Sequence, residues 1–331
     1  MATPLLSVRL MTYNHENFIK KAMDGIMSQR TDFDFEVVVG DDFSTDQTLE
    51  IIKSYNSTKR INIRILDRPV GGEYWIKRKK SGTHITNLID ILNNCKGKYI
   101  ALLDGDDYWT DPEKLQRQIG FLEANQEFSI CFHKIKILEG GAFKEDYITR
   151  VPSQITTIEN LAKGNYIHTP SCVFRNRVDD IIGEHIYESA IGDYYLHMMN
   201  AQYGKIYYMD REMAVYRVHG DSYWSSQPNE YRLHKTVISQ RAILLDFLDK
   251  ASNGYNTLFQ SYVDHLFKLH YILDSQEWEN EILKNTNELS QLFAKSLMEK
   301  LKKIKMLEAE KKSIKKTLKR LVRLTIIRIT N

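Results

Sequence analysis

Along the first 110 residues, short runs of consecutive apolar positions alternate with apolar positions spaced three and four apart, the pattern of βα units around a parallel sheet. Leu6 to Tyr13 reads as the first strand, and Ile19, Ala22, Met23, Ile26 and Met27 then recur as one stripe of an amphipathic helix. Phe35 to Gly40 predicts a buried strand, and Leu49, Ile52 and Tyr55 a second helix. Ile61 to Leu66 predicts a third strand, Ile85, Leu88, Ile89 and Leu92 a further helix, and Tyr99 to Leu103 a fourth strand. Asp111 before Pro112 predicts a helix start, with Leu115, Ile119 and Leu122 as its apolar stripe. Beyond residue 125 the pattern is mixed. From about Asn229 it turns helical, with Leu258, Tyr262, Leu266 and Leu269 in step, so a boundary is expected near Ser225. No internal repeat is visible at solenoid or propeller periods.

Composition narrows the picture. The 331 residues are 42% hydrophobic and 27% charged, the balance of a globular protein with a substantial core. Cys95, Cys131 and Cys172 are odd in number and widely spaced, which indicates neither a disulfide framework nor a zinc site. No apolar run approaches the roughly 18 to 20 residues that cross a bilayer, and the N-terminus lacks a secretory layout, so a cytoplasmic location is expected. The net charge of +3 conceals an asymmetry: residues 295 to 331 hold 13 Lys/Arg against Glu299, Glu308 and Glu310. Such a tail meets either nucleic acid or anionic lipid, a choice that the rest of the chain decides.

Two acidic groups fall where strands should end, Asp41 and Asp42 after the second and Asp104, Asp106 and Asp107 after the fourth. In an open α/β sheet ligands settle outside the carboxyl ends of the strands, so both groups are expected to face one crevice. Packed carboxylates repel unless a cation offsets them, and hard oxygen donors suit Mg²⁺ or Mn²⁺ holding a diphosphate. A solvated acidic turn is the plainer alternative. An EF-hand loop from Asp104 would need Gly and Glu where Trp109 and Leu115 stand. Neither a G-x-G-x-x-G fingerprint nor a P-loop is present.

These residues resemble family 2 glycosyltransferases, whose fold is the GT-A nucleotide-diphospho-sugar transferase fold. Met11-Thr12-Tyr13-Asn14 resembles the family's first-strand T-Y-N. Val37 to Asp46 resembles its V-V-D-D-G-S-x-D, with Phe43 in place of the usual Gly. Gly97 to Asp107 is similar to its D-x-D strand, and Tyr108 to Leu115 to the D-G-D-D-Y-W-x-D-P run of a bacterial subgroup. The resemblance covers roughly residues 5 to 225, implies an α/β domain over 1–225, doubly wound on a mostly parallel sheet, and leaves the last hundred residues unassigned, where the apolar spacing predicts an α-helical extension over 226–331. It further implies a nucleotide site of Thr12, Tyr13, Asn14, Asp42, Arg78, Asn87 and Asp104, in which Asp42 accepts from the base, and a Mn²⁺ or Mg²⁺ ligand in Asp106. Arg78, Lys79 and Lys80 also read as a solvated basic turn after Gly71 and Gly72.

Transfer to an acceptor hydroxyl needs a base. Gly192-Asp193-Tyr194 resembles the family's [EG]-D motif, which implies that Asp193 is that base in an inverting displacement. Val215 to Ser222 resembles its Y-R-x-H segment, which makes His219 a second metal ligand. Tyr194, Trp109, Tyr223 and Trp224 offer flat faces for sugar rings or pack in the core. The implied partners are a nucleotide-sugar, by resemblance a UDP-sugar, and a glycan or lipid-linked glycan acceptor in bacterial surface polysaccharide assembly, with no nucleic acid. Leu301, Ile304, Leu307, Ile314, Leu318 and Leu321 recur through the basic tail, as in a helix lying on the inner membrane face or a coiled coil for an oligomer. Rival readings are a nucleotidyltransferase, which should carry a glycine-rich basic N-terminal signature, and a non-catalytic glycan-binding scaffold.

Overall fold

The computed structural model describes residues 3–220, 224 and 226–270. The basic stretch 295–331, Asp221, Ser222, Tyr223 and Ser225 lie outside the described residues.

The expected βα alternation is there: β1 (Leu6–Thr12), α1 (Ile19–Met27), β2 (Phe35–Asp41), α2 (Thr48–Lys53), β3 (Ile61–Ile65), α3 (Glu73–Ser81), α4 (Ile85–Asn94) and β4 (Tyr99–Asp104). There follow β5 (Tyr108–Trp109), α5 (Lys114–Ala124), β6 (Phe128–Glu139), β7 (Ala142–Lys144), β8 (Ile155–Thr156), α6 (Ile158–Leu161), β9 (Val173–Arg175), α7 (Val178–Ile181), α8 (Gly192–Ala201), β10 (Lys205–Val218), α9 (Asn229–Asp246) and α10 (Asn253–His270). The sheet runs β3-β2-β1-β4-β9-β6-β10-β5. Its first four strands are mutually parallel and β6 and β10 are parallel to each other, so the sheet is mostly parallel as expected, with β9 entering antiparallel between β4 and β6.

Alternate residues of β1 explain the two layers. Leu6, Val8 and Leu10 join Ile19, Ala22, Met23 and Ile26 of α1, Ile52 of α2 and Leu115, Ile119 and Leu122 of α5 in one core. On the opposite face α4 buries Ile85, Leu88, Ile89, Ile91 and Leu92, and Gly192 at the start of α8 sits against Leu88 and Ile85. Because β2 and β4 flank β1, the winding reverses there, and the crevice opens at the carboxyl ends of β1, β2 and β4.

Three local expectations change. The predicted helix at Asp111 begins at Lys114: the Asp111 carboxylate accepts the Glu113 N–H at 2.8 Å, and its carbonyl accepts the Lys114 N–H at 3.1 Å, closing a turn first. Arg78, Lys79 and Lys80 lie in α3, capped by Gly82 at φ +67°, and not in a turn. Trp109 and Tyr194, offered as sugar platforms, are 3% and 2% exposed and pack in the core.

The helices after residue 228 appear as expected through His270. A compact unit runs from Met1 to His265, and a second begins at Leu266. Within the first, α9 braces α8: the Ser239 Oγ accepts the N–H groups of Ala190 and Ile191, each at 3.0 Å, just before α8 starts. Among the described residues no helix is long and apolar enough to cross a membrane.

Candidate active site

The ends of β1 and β2 are tied into one loop system. The Asp42 N–H donates to the Thr12 carbonyl at 3.0 Å, the Asn14 N–H to Ser44 Oγ at 2.9 Å, and the Thr45 N–H to Asn14 Oδ1 at 2.8 Å. Asp41 is consumed here, since its carboxylate accepts the Ser44 N–H at 2.9 Å. Asp42 instead meets α3: Tyr74 Oη donates to it at 2.8 Å and Arg78 Nε at 2.8 and 3.1 Å. Tyr13, 53% exposed, stands open beside them.

Two residues expected in the nucleotide site lie beneath it. Thr12 is 1% exposed, with its hydroxyl 3.1 Å from His15 Nδ1. Asn87, also 1% exposed, donates to the Gly40 carbonyl at 3.0 Å and accepts from Arg68 Nη1 at 2.8 Å. Its amide is spent on the backbone of β2 and on Arg68, whose guanidinium lies 3.8 Å over the Tyr74 ring. Arg68 and Tyr74 were not anticipated from the sequence.

The acidic turn after β4 separates its three carboxylates. Gly105 is required by close approach, because a Cβ there would lie 2.6 Å from Thr12 Oγ1 and 2.7 Å from His15 Nδ1. Asp104 pairs with Arg9, a cation in the middle of β1 with a 2% exposed side chain. A charged residue within the apolar run Leu6–Met11 needs a buried partner, and that was a readable clue to Arg9. Asp107 turns inward and accepts the Arg217 N–H at 2.8 Å. Burial, with Asp106 beside it, pushes its carboxyl well above the usual range.

Asp106 keeps its carboxylate partly exposed, 3.2 Å from His219 Nε2, while Arg217 donates to the Asp106 carbonyl. Burial alone would raise the Asp106 pKa. The His219 hydrogen bond and the nearby His15 outweigh it, and the net shift is downward, which keeps the group ionised. Phe18 packs on His219 with ring centroids 4.6 Å apart, and a crevice of about 540 Å³ opens between Phe18, Arg217, His219 and the Gly140-Gly141 turn.

Among the described residues no three His, Cys, Asp or Glu groups are arranged to hold a metal ion. A carboxylate facing an imidazole at 3.2 Å nonetheless fits the incomplete donor set of a hard divalent cation, which takes few protein ligands and fills its shell with water and substrate phosphates.

Asp193 is the second residue of α8, at the same edge. Thr169 Oγ1 donates to it at 3.3 Å and the Tyr194 N–H at 2.7 Å. Its pKa is raised, first by burial and then by the Asp104 charge, against the lowering effect of those two donors. Just before Thr169, His168 binds Asp146 at 2.9 Å and packs on Tyr216.

The sequence model of glycosyl transferase family 2 matches residues 7–183, more than half of the chain. The chain belongs to glycosyltransferase family 2. An uncharacterised protein of Mycobacterium tuberculosis is 34% identical to this chain over 229 residues, which are 69% of this chain and 62% of that protein. The putative teichuronic acid biosynthesis glycosyltransferase TuaG of Bacillus subtilis is 28% identical over 155 residues, 46% of this chain and 55% of TuaG. The chain thus spans less than two thirds of the length of these relatives. Among solved structures, residues 1–349 of Staphylococcus aureus TarS in complex with UDP-GlcNAc align with a TM-score of 0.55 and 22% identity, covering 80% of this chain and 72% of that one. TarS is a poly(ribitol-phosphate) beta-N-acetylglucosaminyltransferase. The likeness establishes the GT-A fold for this chain.

Proposed function

We propose that the protein moves a sugar from a nucleotide-sugar, by resemblance a UDP-sugar, to an acceptor hydroxyl with inversion at the anomeric carbon. The observation that carries this reading is the meeting of Asp106 with His219, 113 residues apart in sequence, at the sheet edge that also holds Asp193. The Asp106–His219 contact and the electrostatic reach of Asp104 to Asp193 support reading these three motifs as one site.

In this reading Tyr13, Asp42 and Arg78 receive the nucleoside, with Thr12, Asn14 and Asn87 shaping the loops that present them, and Asp104, fixed by Arg9, faces the ribose and phosphates. Asp106 and His219 would hold Mn²⁺ or Mg²⁺, which when bound offsets charge on the leaving diphosphate. Asp193 takes the acceptor proton as the hydroxyl attacks, a role that a raised carboxylate pKa favours. Thr169 and the Tyr194 N–H fix the orientation of its two oxygens. The acceptor class is drawn from the relatives' names: TuaG and TarS point to bacterial surface glycans. The division of the chain at 225/226 into a catalytic part and a helical extension, whose basic end meets the inner membrane face, belongs to the same proposal.

The experiment is calorimetric binding of UDP-, GDP- and CDP-sugars with and without Mn²⁺, for the parent and Asp106→Ala. Manganese-dependent binding that Asp106→Ala weakens at least about tenfold supports the reading. A folded parent that binds no nucleotide-sugar favours the non-catalytic scaffold instead.

A further inference from the structure

Phe43 is in a conformation that its side chain disfavours. Its φ is +66°, in the left-handed region that L-residues with a bulky Cβ rarely adopt, at a position where the resembling family has glycine. The neighbouring bonds impose this backbone: Asp41 accepts the Ser44 N–H, and Asn14 bonds Ser44 and Thr45 on either side of the loop. Glycine would adopt the same turn freely, so the loop itself has no use for phenylalanine. The core has none either, for the ring packs on Tyr74 of α3, with centroids 5.8 Å apart and planes 28° apart. Tyr74 in turn donates to Asp42, the residue before Phe43. Phe43 remains partly exposed at the carboxyl edge of β2. Strain kept at a ligand edge without benefit to turn or core is the mark of a functional residue.

We infer that Phe43 is a nucleobase-binding residue: its ring presents an aromatic face on which the base of a nucleoside diphosphate stacks, with Tyr74 backing it and the Asp42 carboxylate alongside. This rests on the nucleotide-sugar reading above. Stacking is available to every base, since each has a π-face, so Phe43 adds affinity without choosing among bases. The backing matters, because a lone ring on a surface loop would lose more freedom on binding than one already held against Tyr74.

The test is calorimetric affinity of the full chain for UDP, GDP and CDP in the presence of Mn²⁺, for the parent, Phe43→Gly, Phe43→Asn and Phe43→Tyr, with a thermal melt of each. Gly and Asn both accept the left-handed turn but lack the ring. Both are expected to melt no lower than the parent, yet to bind the favoured nucleotide about 5- to 100-fold more weakly. Phe43→Tyr should restore affinity to near the parent's. Unchanged affinity in Phe43→Gly and Phe43→Asn, with a parent that binds, overturns the inference while leaving the nucleotide site in place. A parent that binds none of the three overturns both.

Discussion

At Asp193 two opposing influences meet in one carboxylate. Burial and the Asp104 charge push its pKa up, and the Thr169 and Tyr194 donors pull it down without cancelling the rise. A base must be deprotonated to act, so turnover should fall as pH drops through a midpoint above the ordinary aspartate value of 3.8. Asp193→Asn keeps the shape and removes the basicity. The kcat should drop by about 10²- to 10⁴-fold while UDP affinity stays within about twofold; equal losses in both would assign Asp193 to binding. The same residue scale shows what the sequence made legible. Asp106, Asp193 and His219 stand out in the sequence because each sits in a short motif whose order along the chain is distinctive, and their roles are the ones proposed above. Asp107, adjacent to Asp106 and identical in type, behaves differently only because the Arg217 backbone captures it, which no motif encodes. Thr12 and Asn87 were given to the ligand, but their polar atoms serve His15, Gly40 and Arg68, partners set by three-dimensional packing.

At the scale of elements, the strands that position the site were legible and the helix that covers it was not. β1, β2 and β4 are buried on both faces; β2 and β4 read as mainly apolar runs, and β1 alternates apolar Leu6, Val8 and Leu10 with Ser7 and Arg9. By contrast α3 buries none of its residues, so it carries no apolar stripe to detect, and its Arg78, Lys79 and Lys80 looked like a solvated turn. The long pair β6 and β10 escaped for another reason: β6 alternates burial only in its second half, and its register with β10 shifts between Met209 and Ala214, which breaks the period. With no core anchorage, α3 is held by the Arg78–Asp42 pair, the Tyr74 hydrogen bond and the contacts of Tyr74 with Arg68 and Phe43, together with the Ser81–Thr86 hydrogen bond at its end. Arg78→Ala should therefore loosen one element without unfolding the rest. Amide exchange over residues 73–81 is expected to quicken by at least about tenfold. Global stability should change by no more than about 1 kcal/mol, because the guanidinium is a quarter exposed and its Coulomb attraction is screened. Unchanged exchange there would mean that α3 is held by other contacts.

At the scale of the whole molecule, stability against pH records how many ionisable groups the core holds away from their solution behaviour. On the acid side the contributions oppose one another. His133 and His197 are buried and resist protonation, His197 down to about 3, so the unfolded chain binds more protons and stability rises with pH. Asp107 and Asp193, with raised pKa values, act in the reverse sense. Above pH 7 one group stands apart. Lys114 is fully buried, its Nζ 4.2 Å over the Trp109 ring and donating to Gln118 at 2.8 Å, and burial pushes its pKa down to about 7. In the unfolded chain a lysine keeps its proton to about 10.4, so between pH 7 and 10 the unfolded state binds the extra proton and stability must climb with pH. The buried thiols set the upper limit of that climb. Cys95 and Cys131 are pushed up to about 12, and unfolding would release their protons once pH passes about 8.5, which turns the slope downward. The window that isolates Lys114 is therefore pH 7 to 8. There, urea unfolding of the parent should gain up to about 1.4 kcal/mol per pH unit, and Lys114→Met should lose that gain. The slope is the informative quantity, since the absolute stability of the variant also contains the hydrogen bond lost by Gln118. A variant with the parent's slope would mean that Lys114 keeps its proton in the folded core. The Trp109 ring and Gln118 would then be stabilising a buried cation beneath the active-site edge.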